Sequence, residues 1–476
     1  MNQFLTLIFL LTGYLASGQL YQDASDQLPN FGAQSAAMDV QAADIDNDND
    51  LDIALANEGQ KNTILRNDGQ GNFTNISGQL PNEIHDSEDV QIVDLNGDQI
   101  PDLVFCSEDD VLLNITEVHE YYLGDGMGNF TQGPFQFPDT EANAVVVADI
   151  NNDQIPDVLF GNNGGTGVFI GNGDGTFTNE SNRIFQANLT TQDLGIADVD
   201  GDNDLDVFEA NENGNLLHIN DGNGFFTNET ANRLPTAFNL ESRKVTFGDV
   251  DGDNDLDLFL SNVSFIPGRD PKNRLYINDG NGFFTDESFP RIPTEFDQTL
   301  EAIFEDIDLD NDLDLITGNF AGAPIKVYEN DGTGNFTENT IETFGQLYFR
   351  DALGIIAADL NGDGLRDLYI CDRKLPTNNN KDLLLLRTLS TSLVSAEAKK
   401  ELRVFPNPVK GKLHIQHLPK GVDTIEVYDM EGKLVERRKV DTSSDLVIWE
   451  QIDWPVGTYI LQAGQQQKKL FVPPNK

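Results

Sequence analysis

The 476-residue chain is short of basic, histidine and cysteine side chains: 30 Lys+Arg stand against 80 Asp+Glu, with 5 His and 2 Cys, for a formal net charge of −50. Scarce base excludes nucleic acid phosphates and anionic membrane surfaces as direct partners, because both need a basic patch. Two cysteines cannot make a disulfide framework. Cys106 and Cys371 each fall four residues after the last Asp of an acidic motif. They therefore hold equivalent places in separate repeats, too far apart to bridge, and read as small buried hydrophobes. After the N-terminus no apolar run reaches 18 residues, so no transmembrane span is expected. G-x-S-x-G, Walker, H-E-x-x-H and Rossmann fingerprints are all missing. No catalytic residue is assigned; a glycosidase-like carboxylate pair is the chemistry that so many acids could hide.

The N-terminus is apolar from Phe4 to Leu15 and ends in Ala16-Ser17-Gly18. That is the length of a signal-peptide core followed by small cleavage-site residues, so residues 1–18 are read as an export signal. Charge is unevenly spread. Residues 401–476 hold 11 basic and 10 acidic side chains, so the acid excess lies entirely in the first 400. The break marks a domain boundary, with 389–400 (LSTSLVSAEAKK) as linker.

The acid is periodic. D-x-[DN]-x-D-x-x-x-D starts at Asp44, Asp94, Asp149, Asp198, Asp249, Asp306 and Asp359, at steps of 50, 55, 49, 51, 57 and 53 residues. A D/N-G turn follows six of these loops, as in RNDGQGNF (66–73) and INDGNGFF (277–284). Such turns take the positive φ of a tight hairpin. Each repeat reads as strand, acidic loop, strand, variable connection, strand, turn, strand. Four antiparallel strands in about 50 residues, seven times over, is the arithmetic of a seven-bladed β-propeller. An open solenoid is the alternative. The seventh repeat lacks its turn, while YQDASDQLPN (21–30) matches FTNISGQLPN (73–82). The N-terminal strand is therefore expected to complete the last blade and remove an exposed edge.

Positions 1, 3, 5 and 9 of each loop offer hard oxygen donors, and the carbonyl of position 7 adds another. The predicted ligands are Asp44, Asp46, Asp48 and Asp52 in the first loop; Asp94, Asn96, Asp98 and Asp102 in the second; and Asp149, Asn151, Asp153 and Asp157 in the third. The fourth has Asp198, Asp200, Asp202 and Asp206, and the fifth Asp249, Asp251, Asp253 and Asp257. The sixth has Asp306, Asp308, Asp310 and Asp314, and the seventh Asp359, Asn361, Asp363 and Asp367. Oxygen-only sets suit Ca²⁺, at up to seven sites. No His or Cys lies in the loops, which argues against zinc and copper. Without a cation, carboxylates about 4 Å apart repel by roughly 4 kcal/mol per pair at an effective dielectric near 20. The loops are not EF-hands, because position 12 is acidic only at Glu209 and the flanks read as strands. Asn at position 3 of loops two, three and seven predicts weaker binding there.

Residues 19–388 resemble the FG-GAP/VCBS repeat family of calcium-loop propellers on these loops and turns. That resemblance implies fold and metal, but covers adhesive, glycan-binding and enzyme-accessory roles. Residues 401–476 show short alternating strands and resemble the type A sorting domain of type IX secretion on VFPNPVKGKLHI, IEVYDMEGKLV, PVGTYILQA and KKLFV. The expected fold class is thus all-β: a seven-bladed propeller followed by a small Ig-like β-sandwich. The tail resemblance implies a type IX secretion partner and a product secreted from, or held on the outer surface of, a diderm bacterium after signal peptide and tail are removed.

Acidic loops and D/N-G turns both follow odd-numbered strands, so they share one face. The variable connections occupy the other, with most of the propeller's basic residues. Tyr121, Tyr122, Arg269, Lys272, Arg274, Arg373 and Lys374 are the expected ligand-binding side chains there, for an extracellular glycan or protein. A calcium-dependent surface or secreted binding module, a polysaccharide-active enzyme or its accessory subunit, and a structural surface protein all remain open at this point.

Overall fold

The computed structural model describes residues 19–29, 36–80, 84–108, 119–236, 239–373 and 382–388, and interrupted stretches between 403 and 473. The signal segment 1–18, the linker 389–400, Lys374 and the Pro406-Asn-Pro408 opening of the tail lie outside the described residues. Gln19–Thr388 form one compact unit, separate from the tail.

That unit consists of seven antiparallel sheets of four strands each. The first blade is Ala37–Ala43, Asp52–Asn57, Thr63–Arg66 and Thr74–Asn75, and the next five repeat it. The seventh combines Ala352–Ala358, Asp367–Asp372 and Leu383–Arg387 with the N-terminal strand Tyr21–Asp23. Tyr21 pairs with Arg387 and Asp23 with Leu385. The innermost strands pack on one another around the ring, the first against the seventh, so the ring is closed as expected.

The second strand of each blade is buried along its length, as in Asp102–Ser107 and Asp157–Asn162. It lies between two other strands of its sheet, and both sheet faces are covered by neighbouring blades. This is why runs such as LVFC and VLFG are continuously apolar rather than alternating. Apolar clusters span each seam; one joins Ile45 and Ala54 of the first blade to Leu103 and Phe105 of the second. Cys106 and Cys371 are buried free thiols in these layers.

Every innermost strand breaks register near its start, at Asp39, Asp89, Ala144, Asp193, Lys244, Glu301 and Ile355. Such bulges bend a strand and re-aim its side chains.

The tail forms two sheets. One is Arg403–Phe405, Lys412–Gln416 and Leu446–Glu450; the other is Leu434–Lys439, Thr424–Asp429, Gly457–Ala463 and Gln466–Val472. Leu413, Ile415 and Trp449 of the first share a core with Val427, Leu461 and Leu470 of the second, the arrangement of a β-sandwich. Leu446–Glu450 is a strand that the sequence patterning did not single out, and Trp449 brings the largest side chain to that core.

Candidate functional site

Each acidic loop connects an innermost strand to the second strand of its blade. Positions 4 and 6 have positive φ in all seven copies: Asn47 and Asn49, Gly97 and Gln99, Asn152 and Gln154, Gly201 and Asn203, Gly252 and Asn254, Leu309 and Asn311, Gly362 and Gly364. Gly and Asn recur there because they tolerate the left-handed region. Gln99, Gln154 and Leu309 are the exceptions, held at φ 67°, 67° and 64°, with Leu309 half exposed.

The two left-handed turns fold the main chain around the first carboxylate. In the fifth loop Asp249 Oδ1 accepts the N–H groups of Gly252 (2.8 Å) and Asp253 (3.2 Å), and its Oδ2 accepts that of Asn254 (3.0 Å). Asp253 Oδ1 then accepts the N–H of Asp255 at 3.0 Å. Asp257, at position 9, accepts Val250 N–H (3.1 Å) on one oxygen and Asn278 N–H (2.9 Å) on the other. The same double acceptance recurs at Asp52, Asp102, Asp157, Asp206, Asp314 and Asp367. Burial, offset in part by these N–H groups, lifts the position-9 carboxyls to about 7 at Asp52, Asp206 and Asp257 and to about 6 at the other four. Position 9 is thus a brace between loop and third strand, with one lone pair per oxygen left for a cation.

Four loops bring three carboxylates to within 4.8 Å of one another: Asp44, Asp46 and Asp48; Asp198, Asp200 and Asp206; Asp249, Asp251 and Asp257; Asp306, Asp308 and Asp314. These are the copies with Asp at position 3. In three of them the Oδ1 of that Asp, on Asp46, Asp200 or Asp251, is buried without a hydrogen-bond donor, as is Asp312 Oδ1 in the sixth loop. A buried carboxylate oxygen with no donor is costly, and a bound cation removes that cost. In loops two, three and seven the position-3 oxygen of Asn96, Asn151 or Asn361 instead accepts the N–H of Asp98, Asp153 or Asp363. The donor sets therefore fit a hard cation, most fully in loops one, four, five and six.

Neighbouring blades are knitted together on this face. The turn asparagines Asn220, Asn278 and Asn330 donate to the carbonyls of Ile150, Val199 and Val250, each in the loop of the preceding blade. Asn67 does the same across the ring closure, to Leu360. The seventh blade has no such turn, and Arg387 donates to Ile307 in its place. Three arginines reach position-3 carboxylates: Arg66 to Asp46 (3.9 Å), Arg233 to Asp200 (3.0 Å) and Arg291 to Asp251 (3.4 Å). The sequence reading assigned none of these asparagines and arginines. The signal was present: Arg183, Arg233 and Arg291 recur six or seven residues after Phe177, Phe226 and Phe284, which open the outermost strands.

On the opposite face the expected ligand-binding residues separate. Tyr121 and Tyr122 are corrected: both are buried, not exposed on a connection. They are consecutive in the strand Glu120–Gly124, so they point to opposite sheet faces, and both faces are covered. Tyr121 packs on Phe137 and Phe177, and the Tyr122 hydroxyl donates to Glu120. Arg269, on the blade-five connection, donates to Asn213 on that of blade four. Lys272 and Arg274 line a cavity of 410 Å³ at the seam of blades five and six, with Asp286, Phe289, Glu295 and Tyr328. Phe289 is 82% exposed there, and the Lys272 ammonium lies 5.2 Å from the ring centre of Phe296, itself 66% exposed.

Arg373 pairs with Glu58 at a second cavity, of 270 Å³, to which the bulges of five blades contribute Asp39, Asp89, Asp193, Lys244 and Glu301. Lys244 lies 3.3 Å from Glu301 and 3.7 Å from Asp193. Asp39, Asp89 and Asp193 accept main-chain N–H groups of Val90, Val145 and Val245 in the next blade. These acids therefore hold the ring together, a placement legible afterwards as five residues before each loop.

The profile of the FG-GAP-like repeat matches residues 44–105, 149–209, 198–260 and 306–370, together half of the chain. The profile of the secretion system C-terminal sorting domain matches 403–472. None of the curated proteins compared matches the chain. Among solved structures, BBS1N in complex with ARL6DN is similar at 11% identity, with 78% of this chain and 98% of that one covered and a TM-score of 0.51. An Agrocybe aegerita lectin that recognises non-reducing terminal N-acetylglucosamine is similar at 15% identity, covering 72% and 87%, with a TM-score of 0.43. Both matched families are non-catalytic in kind, and no helix among the described residues is long and apolar enough to cross a membrane. Seven in-register acidic loops on a closed ring, ahead of a two-sheet tail, place this chain in the FG-GAP-like repeat family as an exported β-propeller, addressed by its C-terminal domain to type IX secretion and so to the exterior or outer surface of the cell.

Proposed function

We propose that the protein is a calcium-stabilised binding propeller that presents an extracellular glycan or protein ligand site on the face opposite its calcium loops. The observation that carries the ligand site is the 410 Å³ cavity between blades five and six, where Lys272 and Arg274 sit beside the exposed ring of Phe289. An aromatic platform next to fixed charged donors and acceptors is what a sugar ring or an extended peptide side chain needs for orientation. Arg274 is held by Asp270 at 2.6 Å, so its fork is preset.

Calcium, in this reading, fills the loops through the carboxylate oxygens of positions 1, 3 and 5, the remaining lone pairs of position 9 and the position-7 carbonyl. Its role is structural: it neutralises repulsion within each loop and rigidifies the face that sets blade spacing. The signal peptide delivers the chain to the periplasm, and the tail is removed on passage outward.

The test is a glycan and extracellular-matrix binding screen of the secreted protein, with and without chelator. A ligand retained by the wild type and lost with Phe289→Ala supports the site; a ligand retained equally by that variant refutes it. A calcium titration with no rise in melting temperature would sink the calcium reading. Deletion of 401–476 is expected to strand the propeller in the periplasm, checked by cell fractionation.

A further inference from the structure

The calcium loops with five carboxylates are not equivalent. In the sixth, the charges bearing on Asp308 are those of Asp310 and Asp314, both anionic. In the fourth and fifth, the position-3 carboxylate already has a cation. Arg233 Nη1 donates to Asp200 Oδ2 at 3.0 Å and to the Asn281 carbonyl at 2.7 Å. Arg291 lies 3.4 Å from Asp251 Oδ2 and donates from Nη1 to the Thr333 carbonyl at 2.6 Å. Asn281 and Thr333 belong to the D/N-G turns of the following blades, so each arginine joins one blade's loop to the next blade's turn.

The turns are shaped to receive these side chains. Gly282 and Gly334 have φ of +74° and +76°, and a Cβ on either would lie 2.4 Å or 2.3 Å from an arginine Nη1. Both arginines are largely buried, with side chains 17% and 18% exposed. The third blade is an internal contrast. Arg183 donates to Asn223 of the next turn at 2.6 Å, but position 3 is Asn151 and offers no carboxylate. The inter-blade tie is therefore general to blades three, four and five, while its combination with a cation-site carboxylate belongs to four and five; in the first loop Arg66 approaches Asp46 only to 3.9 Å, with its side chain 48% exposed. In those two, one oxygen of the aspartate faces the arginine and the other, buried, has no donor.

We propose that Arg233 and Arg291 are resident counter-cations of the fourth and fifth calcium loops, holding each position-3 aspartate and its blade seam in place when the loop is empty and lowering the loop's calcium affinity through their charge. The proposal rests on the calcium reading of the loops. It revises the ordering by carboxylate count, because loops four and five bind more weakly than loop six despite equal numbers of acids. The physical reason is that a ligand carboxylate shared with a guanidinium presents less negative charge to a divalent ion, while the same pairing relieves repulsion in the apo loop.

The test uses the full chain and calcium alone. Equilibrium dialysis of R233Q/R291Q is expected to show two sites tightened about tenfold, the scale of one unit charge removed from beside a divalent ion in a water-like dielectric. Its melting temperature in chelator falls, while that in saturating calcium is retained. R233K/R291K keeps the charge and loses the fork, so its isotherm returns to wild type while its chelator-state melting temperature stays low; this variant carries the test if the glutamine variant does not fold without calcium. An isotherm of R233Q/R291Q that is unshifted or weakened overturns the proposal, as does an R233K/R291K isotherm that follows the glutamine variant. A wild-type chain that binds no calcium overturns the calcium reading itself, and is thereby told apart from failure of the arginine assignment.

Discussion

The two faces of the propeller are made from the two ends of the same strands, yet they obey different rules. On the loop face every repeat solves one problem in one way. Two left-handed residues wrap the chain around an aspartate, and a second aspartate at the ninth position of the motif ties loop to third strand. On the opposite face the connections differ in length and chemistry from blade to blade, and the two cavities described there have unrelated linings. The loop face is under a folding constraint because its buried carboxylates need partners at every copy. The other face is free to vary because its connections run over solvent. Substitutions should therefore damage stability on one face and recognition on the other.

The sharpest break of that contrast is Asp257→Ala. It removes the acceptor for both Val250 N–H and Asn278 N–H, leaving two buried main-chain donors without partners. At about 1–3 kcal/mol for each orphaned group, the expected loss is about 2–6 kcal/mol. Chemical denaturation of the full chain in chelator checks it, so that loss of a calcium ligand is not counted. A loss below about 1 kcal/mol would mean that position 9 acts on the cation and not as a brace.

How much of this was legible beforehand follows from which signals are periodic. Blade number, ring closure and the acidic loops are visible because the motif recurs at near-constant steps, and because Tyr21–Asn30 repeats Phe73–Asn82. Most left-handed positions are visible as Gly and Asn, whereas Gln99, Gln154 and Leu309 carry no such mark. Tyr121 and Tyr122 misled because they follow a long connection and are polar-tipped; nothing local says that both faces of their strand are covered by other blades. Arg233 and Arg291 escaped because their carboxylate partners lie in loops more than 30 residues earlier in the chain, and their second partners, the carbonyls of Asn281 and Thr333, lie across a blade seam. The bulge residues escaped because Lys244 and Glu301 share a bulge position with Asp39 and Asp193 but not a residue type.

A second contrast concerns acid. His119 sits at the seam of blades two and three, stacked on Phe160 with ring centres 4.3 Å apart and with Thr140 Oγ1 2.8 Å from its Nε2. Burial, aided by the nearby charge of His85, lowers its pKa from 6.5 to about 4. The folded state holds the ring neutral while the unfolded chain protonates it. Stability from this group is therefore complete above pH 6.5 and is lost as pH falls from 6.5 toward 4, by about 3 kcal/mol in all. The melting temperature should fall along this limb even in saturating calcium. His119→Gln should flatten the limb; an unchanged slope would remove His119 as its cause.

The smallest effect on stability should accompany a large one on recognition. Phe289 is 82% exposed, so Phe289→Ala removes little buried area, and a change within about 0.5 kcal/mol is expected. Lys272→Glu should be equally mild, because the Lys272 ammonium lies over Phe296 at the surface of the same cavity. Both substitutions nevertheless alter the apolar and charged parts of the 410 Å³ cavity at the seam of blades five and six. Ligand retention should drop for each while melting temperature, calcium stoichiometry and export stay at wild type, measured on the same secreted preparation. The comparison between faces then becomes quantitative: Asp257→Ala costs stability by breaking a buried brace, whereas Phe289→Ala costs binding without touching the fold. Retained binding in both Phe289→Ala and Lys272→Glu would move the recognition surface away from this seam, toward the Arg269 side of the blade-five connection.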